Sequence, residues 1–107
     1  MTIQFDTAHN FKANDELKAP LIAILSGKLS TFNDKITRLE VHLSDENGSK
    51  EGPDDKRCLL EAHIDGMPHT VVTNHANSYL QAAEGAGDKL KSSLYSIFGR
   101  LENHHKR

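Results

Sequence analysis

Alternating apolar and polar residues predict four β-strands in this chain. The alternation recurs in residues 2–6, 36–44, 57–65 and 69–74. Because successive side chains on a strand point to opposite faces, each of these strands has a single apolar face. The inward-facing residues of the second and third strands are predicted to be Leu39, Val41, Leu43, Cys58, Leu60, Ala62 and Ile64.

Two further segments have the apolar spacing of amphipathic helices. The first covers residues 14–34, with Asn14 as the N-cap, and Pro20 predicts a kink or a late first turn. The second covers residues 78–103 and contains two glycines that indicate close packing or bending, Gly85 and Gly87. The apolar positions of the two helices are Leu17, Leu21, Ile24, Leu25, Leu29, Phe32, Leu80, Ala83, Leu90, Leu94, Ile97, Phe98 and Leu101.

This order of elements, β-α-β-β-β-α, predicts an α+β fold with a four-stranded mixed sheet. A helix between the first two strands makes them parallel, and the hairpins that follow are antiparallel. Both helices should pack on one face of the sheet, because each strand has only one apolar face. A polar segment at residues 45–56 separates the second and third strands. The length of 107 residues predicts one domain over 1–107.

Composition narrows the class of protein. The chain has 15 acidic and 13 basic residues, a formal net charge of -2. This excludes a polycation that coats nucleic acid through net charge alone. The single cysteine, Cys58, excludes an internal disulfide and fits a reducing compartment. No apolar run reaches signal-peptide or membrane-spanning length, so we expect a cytoplasmic protein.

The polar face of the second and third strands is one candidate binding surface. It carries Arg38, Glu40, His42, Glu61 and His63. If Glu40 lies opposite His63, and His42 opposite Glu61, both pairs are complementary in charge. Two histidines and two carboxylates could also hold zinc or another divalent ion. Ordinary ion pairing is favoured, because no HExxH or cysteine-rich spacing accompanies them, and we expect no metal.

Basic residues near the C-terminus form a second candidate. Such a group can contact phosphates or complement the dipole of a helix C-terminus, and both readings stay open. The residues are Lys89, Lys91, Arg100, Lys106 and Arg107. Catalysis is not indicated: the sequence has no nucleophile elbow, phosphate loop or dinucleotide fingerprint, and Cys58 falls on the inward face.

Several strings, in the order of the predicted elements, are similar to a known family. They are NDEL at 14–17, KL at 28–29, VHL at 41–43, SYLQAA at 78–83 and DKL at 88–90. With their spacing, they resemble the ribosome hibernation promoting factor and ribosome-associated inhibitor family, also called sigma-54 modulation proteins. The chain looks like a divergent short form, without the C-terminal dimerisation domain of the long forms.

The resemblance implies a cytoplasmic factor that binds the small ribosomal subunit through 16S-type rRNA and inhibits translation under stress. It implies no catalysis, no cofactor, no membrane or DNA partner, and a monomer or weak dimer. The residues that match or adjoin basic positions of the family are Lys28, Lys89, Lys91 and Arg100. Uncharged residues stand where a base is usual at Ile24, Gly27, Ser92, Ser96 and Phe98. The alternative is an interaction module of the same fold that binds another protein or a small ligand on its open sheet face.

Overall fold

The computed structural model describes residues 1–7, 15–45 and 55–105. Its elements are β1 (Thr2–Thr7), α1 (Asp15–Lys28), a 3-10 turn (Ser30–Phe32), β2 (Ile36–Asp45), β3 (Lys56–Ile64), β4 (Thr70–Ala76) and α2 (Tyr79–His105). This order confirms the predicted α+β fold, with strand boundaries within one or two residues of expectation. The predicted cap Asn14, most of the polar segment and the terminal Lys106 and Arg107 lie outside the described residues.

The four strands form one mixed sheet in the order β1-β2-β3-β4. β1 is parallel to β2, so α1 is the crossover between them, and the other two pairs are antiparallel. The hairpin between β3 and β4 turns at Gly66, whose φ of 74° lies in the left-handed region that glycine adopts without a steric penalty. Met67 N–H donates to the Ile64 carbonyl at 3.1 Å and closes this turn.

Both helices pack against the same face of the sheet, as predicted. All of the predicted inward residues of β2 and β3 are buried. The helices contribute Leu21, Leu25, Leu29, Ala82, Ala83, Ala86, Leu90 and Leu94 to the same core. Leu80, expected on the apolar face of α2, is exposed instead, because small alanines form the part of the helix nearest the sheet. Over its described residues, neither helix is long and apolar enough to span a bilayer.

The glycines of α2 are points of close packing. A Cβ on Gly85 would lie 2.7 Å from Asn74 Cγ, well inside van der Waals contact with β4. A Cβ on Gly87 would lie 2.9 Å from Lys28 Cδ and 3.4 Å from Leu25 Cδ2 of α1. Glycine therefore lets α2 approach both the sheet and the first helix.

The predicted register of β2 and β3 is wrong by two residues. Glu40 lies opposite Glu61 rather than His63, and His63 lies opposite Arg38. A shift of two residues leaves every side chain on the same face, so the apolar pattern accepts either register. The observed register also places Asp45 opposite Lys56, and their side chains form an ion pair of 3.0 Å.

The first helix is shorter than predicted. It ends at Lys28 instead of residues 33–34, and Leu29 leaves the helical conformation with φ −103° and ψ 13°. Phe32 N–H then donates to the Leu29 carbonyl at 2.9 Å, an i to i−3 bond that continues the chain as a 3-10 turn. The apolar spacing predicted a longer helix because the 3-10 turn still buries Phe32, as a further turn of α-helix would. Pro20 is the sixth residue of α1, so the helix does not begin late at the proline.

Candidate functional site

The polar face of β2 and β3 brings together the five residues predicted for it. His63 Nε2 lies 2.6 Å from Glu40 Oε2 and 3.4 Å from Glu61 Oε2. Arg38 Nη2 lies 3.0 Å from the same Glu40 oxygen. His42 joins the group through its Nε2, 3.6 Å from Glu40 Oε1. We call these five residues and their neighbours in contact the open-face network.

Glu40 is the central anion of this network. Desolvation by the surrounding side chains acts to raise its pKa, but the hydrogen bond with His63 and the charge of Arg38 outweigh it. The pKa of Glu40 is therefore lower than usual. Glu40 is ionised at neutral pH and holds two partners at once.

Two residues that sequence reasoning did not assign extend the open-face network. Asp6 Oδ2 of β1 lies 3.4 Å from His42 Nδ1. His69 Nδ1, just before β4, lies 3.2 Å from Glu61 Oε1, and its ring centroid is 3.7 Å from that of His63. His63 and His69 flank a short hairpin in the sequence, which was the available signal. The network thus combines three acids, three histidines and one arginine.

Lys28, predicted to contact rRNA, is paired within the protein. Its Nζ lies 2.8 Å from Asp88 Oδ1 of α2. The hydrogen bond with Asp88 outweighs desolvation and, with the charges of Asp88 and Glu84, raises the pKa of Lys28. The point where α1 meets α2 therefore carries compensated charge.

The basic residues of α2 lie on two sides of the helix. Lys89 and Lys91 are two residues apart, about 200° around a helix with 3.6 residues per turn. Lys89 reaches β4, where its Nζ donates to the Thr73 carbonyl at 2.9 Å. Arg100 is exposed and follows Lys89 by three turns on the same side. Lys91 lies one turn from Asp88, on the side of Lys28.

An aromatic hollow lies on the Lys91 side of α2. Phe32 packs edge-on against Tyr95 with centroids 5.0 Å apart and stacks on Phe98 at 5.7 Å. Lys35 Nζ lies 5.2 Å from the Phe98 centroid. These side chains, with Thr31 and Gly99, line a cavity of about 220 Å³. Tyr95, expected to be a packing or edge residue, is half exposed at the rim.

Cys58 is a core residue, as predicted. Its side chain is fully buried between the sheet and the helices. Burial raises the pKa of the Cys58 thiol to about 12, although the nearby charge of Arg57 opposes the shift. The thiol is protonated at neutral pH and lacks the thiolate character of a nucleophile.

Solved structures share this arrangement of strands and helices. The N-terminal domain of Protein Y from Thermus thermophilus matches with a TM-score of 0.71 and 16% identity, covering 91% of this chain and 99% of that one. A ribosomal subunit interface protein from Coxiella burnetii matches with a TM-score of 0.70 and 14% identity, covering 92% of this chain and 99% of that one. This chain has their fold. No family model matches the sequence, and no curated protein matches it either.

Proposed function

We propose that this protein is a divergent member of the ribosome hibernation factor family that binds the small ribosomal subunit and inhibits translation under stress. The carrying observation is the agreement in fold with the two ribosome-related proteins, over more than nine-tenths of this chain and nearly all of theirs. On this proposal, residues 1–107 act as one cytoplasmic, non-enzymatic domain. Its partner is 16S-type rRNA.

The helical side of the molecule suits rRNA better than the open-face network does. Phosphates are repelled by carboxylates, and the network contains Asp6, Glu40 and Glu61. Its arginine, Arg38, is already engaged by Glu40. We therefore assign phosphate binding to the outer surface of the helices.

Lys89 and Arg100 are the principal contacts on this proposal. Arg100 is exposed, and its guanidinium offers five donors in a planar fork that suits phosphate. Lys89 uses one donor on the Thr73 carbonyl, which positions the ammonium and leaves two further donors. About 16 Å of helix separates the two residues, at a rise of about 1.5 Å per residue. Several phosphates of one RNA strand can lie between them.

Lys28 and Lys91 are secondary contacts on the other side of α2. Lys28 must exchange or share its bond to Asp88 before it meets a phosphate, which reduces its net contribution. The exposed ring of Tyr95 lies on this side as well, next to Lys35 at the aromatic hollow. An unstacked base has an aromatic surface there on which to stack.

Ribosome co-sedimentation tests the proposal. Wild type is compared with Lys89→Glu/Arg100→Glu and with a control of identical charge change, Lys18→Glu/Arg57→Glu, whose second residue lies on β3. Lys18 makes a cation–π contact with Phe5, so far-ultraviolet circular dichroism checks folding of every variant. Sucrose gradients at several salt concentrations give the fraction bound to small subunits and intact ribosomes.

We expect wild type to travel with small subunits and to dissociate as salt rises. Each lost phosphate contact lowers the log–log salt slope by about 0.7 to 0.9, so the Lys89/Arg100 variant should lose about 1.4 to 1.8 of it. The control should retain most of the binding. Failure of wild type to sediment with ribosomes at low salt would contradict the proposed function. Equal losses in both variants would contradict the assignment of Lys89 and Arg100.

The alternative function is binding of another protein or a small ligand on the open sheet face. It is favoured by the size of the open-face network. From the Glu40–His63 contact of 2.6 Å the network reaches Asp6 on β1 and His69 at the hairpin, so polar side chains from several elements share one surface. Under this alternative, wild type captures one non-ribosomal partner at constant stoichiometry, and His42→Gln/Glu61→Gln does not. Lys89→Glu/Arg100→Glu would capture that partner normally.

A further inference from the structure

Three donor side chains meet at the end of the sheet where β3 turns into β4. Glu61 and His63 project from β3, and His69 follows the hairpin that Gly66 turns. One ligand atom from each lies within 4.8 Å of the others. The rings of His63 and His69 have centroids only 3.7 Å apart, at an interplanar angle of 50°. Two imidazoles thus face one carboxylate.

The spacing of these atoms fits a tetrahedral metal ion. Zinc lies about 2.0–2.2 Å from histidine nitrogens and carboxylate oxygens, so ligand atoms on a tetrahedron are about 3.3–3.6 Å apart. Glu61 Oε1 lies 3.2 Å from His69 Nδ1, and Glu61 Oε2 lies 3.4 Å from His63 Nε2. These two contacts use different oxygens of Glu61, so one ion would take either a single oxygen after rotation of the carboxylate or both oxygens together.

We propose that Glu61, His63 and His69 form a Zn²⁺ site with a fourth position open to solvent. Two imidazoles and one carboxylate are a donor set that zinc accepts, and three protein ligands leave room for water. The inference is independent of ribosome binding, since the residues lie on the sheet face away from the helices.

Zinc binding would rearrange the contacts among Glu61, His63 and His69 and the contact of His63 with Glu40. Glu40 Oε2 lies 2.6 Å from His63 Nε2, closer than two ligands of one zinc ion, so this contact gives way to the metal. Glu40 keeps Arg38 at 3.0 Å. Arg38 Nη2 lies 3.3 Å from Nδ1 and 3.4 Å from Nε2 of His63. Arg38 is therefore almost equally far from the two ring nitrogens and does not occupy one of them in preference to the other.

A second set, Glu40, His42 and Glu61, also has three ligand atoms within 4.8 Å of one another. It offers one imidazole instead of two. Its other members have established partners, Arg38 for Glu40 and Asp6 for His42. The hairpin set is therefore the better zinc site, and the second set supplies the control.

Zn²⁺ titration of the full chain, produced without a histidine tag, tests the site. All variants are made in a His104→Gln/His105→Gln background, because imidazoles are zinc ligands and two adjacent histidines could compete with the proposed site. Competition with a chromophoric chelator gives affinity and stoichiometry. Substitution by Co²⁺ reports the coordination geometry through its visible absorption.

We expect one Zn²⁺ per chain and a higher melting temperature with Zn²⁺ than without it. His69→Gln and Glu61→Gln should each weaken Zn²⁺ binding at least about tenfold. Mutation of a residue that only hydrogen-bonds to a metal ligand already lowers metal affinity by about tenfold or more, and these two residues are the ligands themselves. His42→Gln should bind as the parent does, and so should His75→Gln, a change on the neighbouring strand outside the site. Melting curves without metal show that each variant is folded.

Three results would overturn the proposal. The first is no stoichiometric zinc binding by the folded parent. The second is unchanged affinity in His69→Gln. The third is a loss of Zn²⁺ binding in His42→Gln while His69→Gln still binds Zn²⁺, which would assign the ion to Glu40, His42 and Glu61 instead. Ribosome sedimentation is unaffected by His69→Gln on this reasoning, so the two proposals fail separately.

Discussion

Replacing Gly85 by alanine should destabilise the protein, although alanine is the better helix former. The Cβ added at this position would lie 2.7 Å from Asn74 Cγ and 3.2 Å from its Oδ1. Carbon atoms in contact normally lie about 3.5–4.0 Å apart, so the Asn74 amide must retreat by about 1 Å. That movement breaks the bond from Asn74 Nδ2 to the Ala82 carbonyl, which is already 3.2 Å long.

The magnitude follows from two opposing contributions to the free energy of unfolding. Glycine to alanine in a helix interior raises it by about 1 kcal/mol. Losing the Asn74 hydrogen bond lowers it by about 1 kcal/mol, or by up to about 3 if the half-buried amide finds no new partner. Gly85→Ala should therefore be destabilising by about 0 to 2 kcal/mol. Gly99→Ala, in the same helix, meets no described atom within 4 Å and should be stabilising by up to about 1 kcal/mol.

Urea unfolding of both variants, alone and with Asn74→Ala, measures these contributions. In the Asn74→Ala background the obstruction is absent, so Gly85→Ala should raise the free energy of unfolding by about 1 kcal/mol. The resulting coupling of about 1–3 kcal/mol between positions 74 and 85 lies in the range of contacting residues. If Gly85→Ala stabilises wild type as much as Gly99→Ala does, the close approach of α2 to β4 is not what the glycine serves.

Two further predictions concern the core. The folded state keeps the Cys58 thiol protonated up to a pKa of about 12, whereas the unfolded chain ionises it near its ordinary pKa of 9.0. Ionisation of the unfolded chain therefore leaves the free energy of unfolding unchanged below pH 9 and lowers it as pH rises toward 12. Between pH 9 and 12, the free energy of unfolding of wild type should fall by about 1.4 kcal/mol per pH unit more steeply than that of Cys58→Ala. Urea unfolding at several pH values measures both, and equal pH dependence of the two proteins would show that the thiol is not desolvated. Phe32→Ala should cost about 3–5 kcal/mol because the ring is 3% exposed, whereas Tyr95→Ala, 51% exposed, should cost about 1 kcal/mol for the lost edge-on contact. Equal urea midpoints for these two variants would mean that the 3-10 turn does not anchor the core.

Local patterns predicted the strands and helices because they depend on neighbours in sequence. Alternation in β2 and β3 identified the buried residues, including Cys58, and the open-face residues around Glu40. The predicted end of α1 was wrong, because the apolar spacing continues through Phe32 while the backbone leaves the α-helical conformation at Leu29. A 3-10 turn buries the same side as one more helical turn, so apolar spacing does not separate the two.

The candidate sites were less predictable, since they depend on residues brought together from distant segments. The contact of His69 with Glu61 crosses a hairpin, and the partner of Lys28, Asp88, is 60 residues away in the sequence. Sequence spacing alone did not reveal either contact. Both contacts change the local chemistry: His69 adds a second imidazole beside Glu61, and Asp88 compensates the charge of Lys28.

Apolar periodicity along the chain sets which faces of the strands are apolar and in which order the elements follow, and therefore the α+β fold. These are properties of local periodicity, which the chain carries whether or not it is folded. Tertiary packing sets the register of β2 on β3, the pairing of Lys28 with Asp88 and the meeting of Glu61, His63 and His69. Registers two residues apart bury the same side chains, so hydrophobic burial does not choose between them. Pairings such as Asp45 with Lys56 and close contacts such as Gly85 on Asn74 exist only once the segments have packed.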